Sequence, residues 1–110
     1  MNNIEHLRMF IETIEQGSFS ACAKKLGKVQ SAISQGIANL EVDLNVQLFD
    51  RSTRKPSLTS DGERLKPYAE AVLHQAHEFQ AVVDSINKGE EALIRLTLDN
   101  ALLMPGLTEI

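Results

Sequence analysis

Several features that would place this chain in common functional classes are missing from its sequence. The single cysteine, Cys22, cannot form an internal disulfide, and its position beside Ala23 predicts a small, buried hydrophobic residue. The chain has no run of 18 apolar residues and does not open with a charged and then apolar leader. We therefore expect a cytoplasmic protein that does not associate with a membrane.

Motifs for catalysis and metal binding are also missing. The spacing of Ser18, Ser20, His6 and Asp50 does not unite a nucleophile, a base and an orienting group. A histidine pair at i and i+3, His74 and His77, is compatible with a metal, but two ligands do not complete a site. We expect no enzymatic activity, no metal and no cofactor.

The most informative stretch is residues 19–40, FSACAKKLGKVQSAISQGIANL, which has the spacing of a helix-turn-helix. Ala23 stands where two helices would cross closely, and Gly27 can supply the positive φ of a tight turn. The second helix has a predicted inward stripe of Ile33, Ile37, Leu40 and Leu44. Its opposite face carries Gln30, Ser31, Ser34 and Gln35. Amides and hydroxyls on an exposed helix face can recognise base edges of DNA through directional hydrogen bonds.

Positive charge is concentrated around this motif, although the whole chain carries a net charge of −4. Residues 24–66 contain eight basic and five acidic residues, whereas residues 1–23 carry −2 and residues 67–110 carry −5. Because salt screens charges beyond roughly 10 Å, the local field decides how a phosphate is attracted. The basic segment is therefore the predicted DNA-facing part.

The motifs GSFSACAKKL, QSAIS, LE, LFDR and LTSDG follow in this order, and residues 3–88 resemble the N-terminal domain of LysR-type transcriptional regulators. The resemblance implies a mostly α winged helix-turn-helix with a long C-terminal dimerisation helix. Lys28 and Val29 stand where the family usually has an apolar residue and a serine that caps the recognition helix. Gly36 replaces a longer, often polar residue. Loss of the cap lowers the stability of the helix by on the order of 1 kcal/mol. Glycine at residue 36 lowers it by about 1 kcal/mol relative to alanine.

Apolar spacing and turn residues predict the other elements of a DNA-binding domain over residues 1–59. A first helix, with Ile4, Leu7, Ile11 and Ile14 on one face, ends at Gly17, and Ser18 caps the second helix. A wing is predicted as a strand pair, residues 52–56 and 57–59. It carries the basic cluster Arg51, Arg54 and Lys55.

A long helix is predicted over residues 60–89. Thr59 and Ser60 compete as its N-cap, Glu63 can complete a capping box with Ser60, and Pro67 should kink the helix or shift its start. Its apolar stripe comprises Leu65, Tyr68, Val72, Ala76, Phe79, Val83 and Ile86. One small domain cannot bury this stripe, so we predict a homodimer through paired helices. Docking on an absent domain is the alternative.

Residues 90–110 are predicted to begin a further unit, in which Ile94, Leu96 and Leu98 alternate with polar residues as in a β-strand before a turn into a helix. The resemblance makes this the start of an effector-binding domain. We therefore expect either a truncated protein or a tail that packs on a partner. Since one strand cannot form a ligand pocket, a small-molecule effector is expected only if the absent domain exists, and a higher oligomer only in a full-length form.

These observations predict a sequence-specific transcription regulator that binds an inverted repeat in double-stranded DNA as a dimer. The predicted base contacts are Gln30, Ser31 and Gln35. The predicted contacts to the DNA backbone are Ser18, Ser34, Arg51, Thr53, Arg54 and Lys55. The alternative function is a protein-interaction module that forms mixed dimers with full-length relatives. At the level of single residues, the alternatives are an ordinary solvated helix face and ordinary loop charges.

Overall fold

The computed structural model describes residues 3–52 and 55–103, with side chains described for residues 4–52 and 55–89. These residues form α1 (Asn3–Gln16), α2 (Phe19–Leu26), α3 (Gln30–Leu44), β1 (Phe49–Asp50), β2 (Ser57–Leu58) and α4 (Ser60–Leu103). The chain divides into two compact units, residues 1–74 and 75–110. Among the described residues, no helix is long and apolar enough to cross a membrane.

The first unit is built around a core to which α1, α2 and α3 all contribute. Phe49 is central to it, since its ring lies edge-on to Phe10 and to Phe19, with centroid distances of 5.7 Å and 5.6 Å. The other described residues with at most 2% exposure are Thr13, Cys22, Ile33, Ile37, Leu40 and Leu48. This core confirms the predicted burial of Cys22 and most of the predicted inward stripe of α3.

Leu44 differs from the rest of that stripe because it is 46% exposed. The prediction that it is buried is therefore wrong. It is the last residue of α3, immediately before Asn45, which adopts a left-handed conformation and ends the helix. There it lines an open groove of about 170 Å³ together with Leu7, Leu65 and Tyr68. The end of α3 thus contributes to an apolar surface of the first unit.

The turn between α2 and α3 is the one the sequence predicts. Gly27 has a φ of 66°, and the backbone N–H of Lys28 donates to the Ala23 carbonyl at 2.9 Å. At the other end of α2, the Ser18 hydroxyl accepts the N–H of Ala21 at 3.0 Å, which confirms the predicted N-cap. Helix α2 is therefore held at both of its ends by local hydrogen bonds.

The wing is a short antiparallel pair in which Phe49 lies opposite Leu58 and Asp50 lies opposite Ser57. Its first strand lies before residue 51, and Ser52, Lys55 and Pro56 are not in a strand, so the prediction of a strand over residues 52–56 is wrong at these described positions. The chain turns away at residue 52 because the Asp50 carboxylate accepts the N–H of Ser52 at 2.9 Å. Hydrogen bonds from Ser52 also lower the pKa of Asp50. Two predicted contact residues, Thr53 and Arg54, lie outside the described residues.

Thr59 is the N-cap of α4, so the predicted capping box of Ser60 and Glu63 is wrong. The Thr59 hydroxyl accepts the N–H of Gly62 at 2.9 Å and donates to the carbonyl of Gln47. Gly62 is buried, and a methyl group at its Cα would overlap the carbonyl oxygen of Leu48. The hydrogen bond from Thr59 to Gln47 and the close packing of Gly62 on Leu48 join the start of α4 to the loop before β1.

The remainder of α4 differs from the prediction in its length. Pro67 lies inside a continuous helix and does not shift its start. The helix passes through Gly89 and continues to Leu103, so the predicted end near residues 87–90 and the predicted strand at Ile94, Leu96 and Leu98 are wrong. Gly89 does not adopt the left-handed conformation that would end the helix, and an alternation of five residues is too short to distinguish a strand from a helix. The segment after residue 103 lies outside the described residues.

Candidate nucleic-acid interface

Helix α3 presents its polar face outward because its apolar face is buried in the core. Ile33 and Ile37 are fully buried, and this fixes the rotation of α3 about its axis. Gln30, Ser31 and Gln35 are consequently exposed, while Ser34 is half-buried. The structure thus brings the three residues predicted to contact bases onto one accessible surface.

Asn39 extends this polar surface by one helical turn and was not singled out from the sequence. The Gln35 side-chain amide donates to the Asn39 side-chain carbonyl at 2.9 Å. This bond restrains the Gln35 amide and leaves it one N–H donor and its carbonyl oxygen. Those are the two groups that a glutamine needs for a bidentate contact with adenine. The i to i+4 spacing of Gln35 and Asn39 is the sequence signal that could have identified the pair.

The N-terminus of α3 lacks a side-chain cap, as the sequence predicts. Val29 occupies the N-cap position with φ −82° and ψ 152° and forms no side-chain cap hydrogen bond. The preceding residue, Lys28, is exposed and its ammonium lies 3.5 Å from the Glu5 carboxylate. The helix start is therefore stabilised by backbone bonds and by this ion pair to α1.

Gly36 has a structural role at the crossing of α1 and α3. It is buried, and a methyl group at its Cα would overlap the sulfur of Met9 and lie 3.3 Å from a ring carbon of His6. Gly36 thus faces side chains of α1, and an alanine at this position would require the flexible Met9 side chain to move.

Arg51, which directly follows β1, is held by two contacts. Its guanidinium lies 3.0 Å from Oε1 of Glu41 and its Cζ lies 5.7 Å from the centroid of the Phe19 ring. Glu41 also accepts the backbone N–H groups of Leu48 and Phe49 through Oε2, at 2.7 Å and 3.3 Å. The sequence points to Glu41 only as part of the LE motif; the structure shows that it joins α3 to β1 and orients Arg51.

Ser18 directly precedes Phe19, the residue whose ring Arg51 contacts. Its hydroxyl oxygen accepts the helix-capping bond, and its hydrogen remains able to donate to a phosphate oxygen. Lys55 is exposed and lies in the segment that joins β1 to β2. Of the six residues predicted to contact the DNA backbone, four are thus described, and Ser34 lies on α3 itself.

The residues considered for hydrolytic chemistry have other roles in the structure. Ser18 is a helix cap, Asp50 accepts the N–H of Ser52, and His6 lies against Gly36. Within the described residues, no three His, Cys, Asp or Glu side chains form a group that could hold a metal ion.

The apolar stripe predicted on α4 is partly buried and partly exposed. In the first unit, Leu65 packs against the core, whereas Tyr68 is 72% exposed and Val72 is also exposed. Ala69 and Leu73, which were not included in the stripe, also contact the core. In the second unit, Phe79 and Ile86 are exposed, and Ala76 and Val83 are half-buried.

Comparisons with known proteins agree with this geometry. A family model described as bacterial regulatory helix-turn-helix protein, lysR family, matches residues 4–63. The HTH-type transcriptional regulator AceR of Acinetobacter baumannii is 38% identical over 107 residues, which are 97% of this chain and 36% of that protein. This chain thus spans about a third of the length of that relative.

Two solved structures are similar in fold and sequence. A mutant of Corynebacterium glutamicum OxyR has a TM-score of 0.72 at 38% identity, over 76% of this chain and 27% of that one. The BenM_DBD chain in a complex with catB site 1 DNA has a TM-score of 0.71 at 32% identity, over 76% of this chain and 94% of that one. The helix-turn-helix, the wing and these similarities show that the chain belongs to the lysR family of bacterial regulatory helix-turn-helix proteins.

Proposed function

We propose that this chain is a transcription regulator that binds double-stranded DNA in a sequence-specific manner, with α3 in the major groove. The observation that carries the proposal is the exposed polar face of α3, whose rotation is fixed by the buried Ile33 and Ile37. A solved relative with the same fold is in a complex with DNA. The local positive charge between residues 24 and 66 favours approach to phosphates despite the net charge of the chain.

In this proposal Gln30, Ser31 and Gln35 recognise bases, and Ser34 positions the helix on the backbone. Each bidentate contact between an amide side chain and adenine contributes about 1 to 3 kcal/mol of discrimination. Gln30→Ala and Gln35→Ala should therefore weaken binding to the preferred site more than binding to random duplex. The preferred site is first obtained by genome-wide capture of the DNA that the chain binds.

The matched control is Gln47→Ala, which removes an exposed glutamine beyond the opposite end of α3. It should leave binding to both duplexes unchanged. Equal losses on the preferred site and on random duplex for Gln30→Ala would overturn the assignment of base contacts.

We infer that Ser18, Arg51, Thr53, Arg54 and Lys55 add affinity with little sequence information, because they neutralise or hydrogen-bond phosphates. Each phosphate contact releases close to one counterion, so Arg54→Ala should reduce the slope of log affinity against log salt by about one. Arg8→Ala, an exposed cation on α1, is the control and should leave the slope unchanged. An unchanged slope for Arg54→Ala would place that residue away from DNA.

We further propose that the chain forms a two-fold dimer through α4 and binds an inverted repeat. The exposed Tyr68, Val72, Phe79 and Ile86 support this, since covering each such side chain stabilises by about 1.5 to 3 kcal/mol. Val83→Glu would bring like charges together in the apolar seam and should release monomers in sedimentation. Ala81→Glu adds the same charge to another exposed side of α4 and should leave a dimer. A monomer for the unmodified chain at tens of micromolar would refute the dimer.

Retention on duplex DNA separates this proposal from a protein-interaction module that acts through mixed dimers. Salt-dependent retention supports DNA binding. Absence of retention, with the dimer intact, would favour the interaction module.

A further inference from the structure

Val29 is an exposed hydrophobic residue at a point where a polar residue would stabilise the helix. It lies at the N-cap of α3 and is 68% exposed. Serine, threonine, aspartate and asparagine are preferred at this position because their side chains accept a free helix N–H. The valine side chain cannot accept that bond, and its methyl groups are exposed to water. A single exposed valine is ordinary, but this one stands beside Gln30, at the end of α3 that the proposed function places in the groove.

The backbone around Val29 is held in place, so the side chain is presented in a defined position. The Val29 carbonyl accepts the N–H groups of Ala32 and Ile33 at 3.1 Å and 3.4 Å. The preceding residue is fixed by the backbone bond from Lys28 to Ala23 and by the ion pair of Lys28 with Glu5. A β-branched side chain also has few χ1 rotamers. Little conformational freedom would be lost when Val29 contacts a ligand.

We propose that Val29 is a specificity-determining residue whose methyl groups contact the 5-methyl group of a thymine, next to the base contacted by Gln30. The inference rests on the proposed DNA-binding function and extends it by one base position. The 5-methyl of thymine is the apolar group that base edges expose in the major groove. A phosphate is an unfavourable neighbour for valine, because valine would displace water from the charge without offering a hydrogen bond.

The test uses the whole chain and the operator found by genome-wide capture. Each thymine of one half-site is replaced in turn by deoxyuridine, which removes only the 5-methyl group. At one position the unmodified chain should bind about fourfold more weakly, as expected for the loss of one buried methyl group. Val29→Ala should bind the thymine operator more weakly by a similar factor and should show no further loss with deoxyuridine at that position.

Val42→Ala is the matched control, because Val42 is an exposed valine on the same helix, about 18 Å along the axis from Gln30. It should retain the full effect of deoxyuridine. Val29→Thr is a second variant that keeps one methyl group and supplies a capping hydroxyl; it should retain at least part of the deoxyuridine effect even if Val29→Ala is poorly folded.

The outcomes separate this inference from the proposed function. If the operator is preferred over scrambled duplex but no deoxyuridine substitution weakens binding, the role of Val29 is refuted and DNA recognition stands. The role is also refuted if Val29→Ala shows the same deoxyuridine effect as the unmodified chain. If the chain does not distinguish the operator from scrambled duplex, the proposed function fails, and this inference fails with it.

Discussion

Replacement of Glu41 is expected to destabilise the first unit, and it tests how the wing is attached to α3. Its side chain is only 13% exposed. One carboxylate oxygen accepts the N–H groups of Leu48 and Phe49, both of which are buried residues, and the other pairs with Arg51. Glu41→Ala would leave these two backbone donors without their acceptor.

The size of the effect follows from these contacts. A buried donor left without a partner costs about 1 to 3 kcal/mol, whereas an ion pair with a partly exposed arginine contributes at most about 1 kcal/mol. Because the Phe49 bond is long, at 3.3 Å, we expect Glu41→Ala to lower the free energy of unfolding by about 2 to 4 kcal/mol, the lower part of this sum. Glu41→Gln keeps one acceptor oxygen near Leu48 and Phe49 and loses the charge. We therefore expect it to lower the free energy of unfolding by about 1 kcal/mol.

Urea unfolding followed by circular dichroism, at one fixed protein concentration, measures the difference. The midpoint for Glu41→Ala should fall by about 1 to 2 M. Asp43→Ala is the control, since it removes an exposed carboxylate from the same helix and should change stability by less than about 0.5 kcal/mol. Equal midpoints for Glu41→Ala and Asp43→Ala would refute the attachment of the wing through Glu41.

Three further predictions concern packing, capping and cysteine reactivity. Gly62→Ala should destabilise by about 2 kcal/mol, because the new methyl would overlap a backbone carbonyl that cannot rotate away. Gly89 has open space around it, so Gly89→Ala should raise the free energy of unfolding in urea by up to about 1 kcal/mol. Destabilisation by Gly89→Ala and not by Gly62→Ala would contradict the packing. Thr59→Ala should lower the free energy of unfolding by about 1 kcal/mol, and Ser60→Ala should lower it much less. Similar decreases for the two variants would argue against Thr59 as the cap. Cys22 should react with iodoacetamide only in denaturant, because burial raises the pKa of its thiol; fast alkylation of the folded chain would show that it is accessible.

The helix-turn-helix could be predicted from the sequence because several local signals agree there. Ser18 supplies a cap, Gly27 supplies a left-handed turn, and Ile33 and Ile37 lie one turn apart. Each of these signals depends on residues within a few positions of one another, so no tertiary information is needed. The same signals predict that Gln30 faces outward, so the candidate site could be predicted from the sequence.

The features that were missed depend on contacts between residues distant in sequence or on ambiguous patterns. Thr59, not Ser60, becomes the cap because its hydroxyl also reaches the carbonyl of Gln47, twelve residues earlier. The role of Glu41 depends on Leu48 and later residues folding back towards α3. At the C-terminal end, a brief alternation suggested a strand where the backbone is helical, since short apolar runs fit either period.

The central claim is that the polar face of α3 recognises particular bases, and a paired binding measurement tests it most directly. Fluorescence anisotropy gives the affinity of the unmodified chain and of Gln30→Ala for the captured operator and for a scrambled duplex of equal length, over a range of salt concentrations. The unmodified chain should prefer the operator, and its affinity for both duplexes should fall as salt rises. In Gln30→Ala, the preference for the operator over the scrambled duplex should be lower by about tenfold or more. Equal affinity of the unmodified chain for operator and scrambled duplex, or a preference unchanged in Gln30→Ala, would contradict recognition through this face of α3.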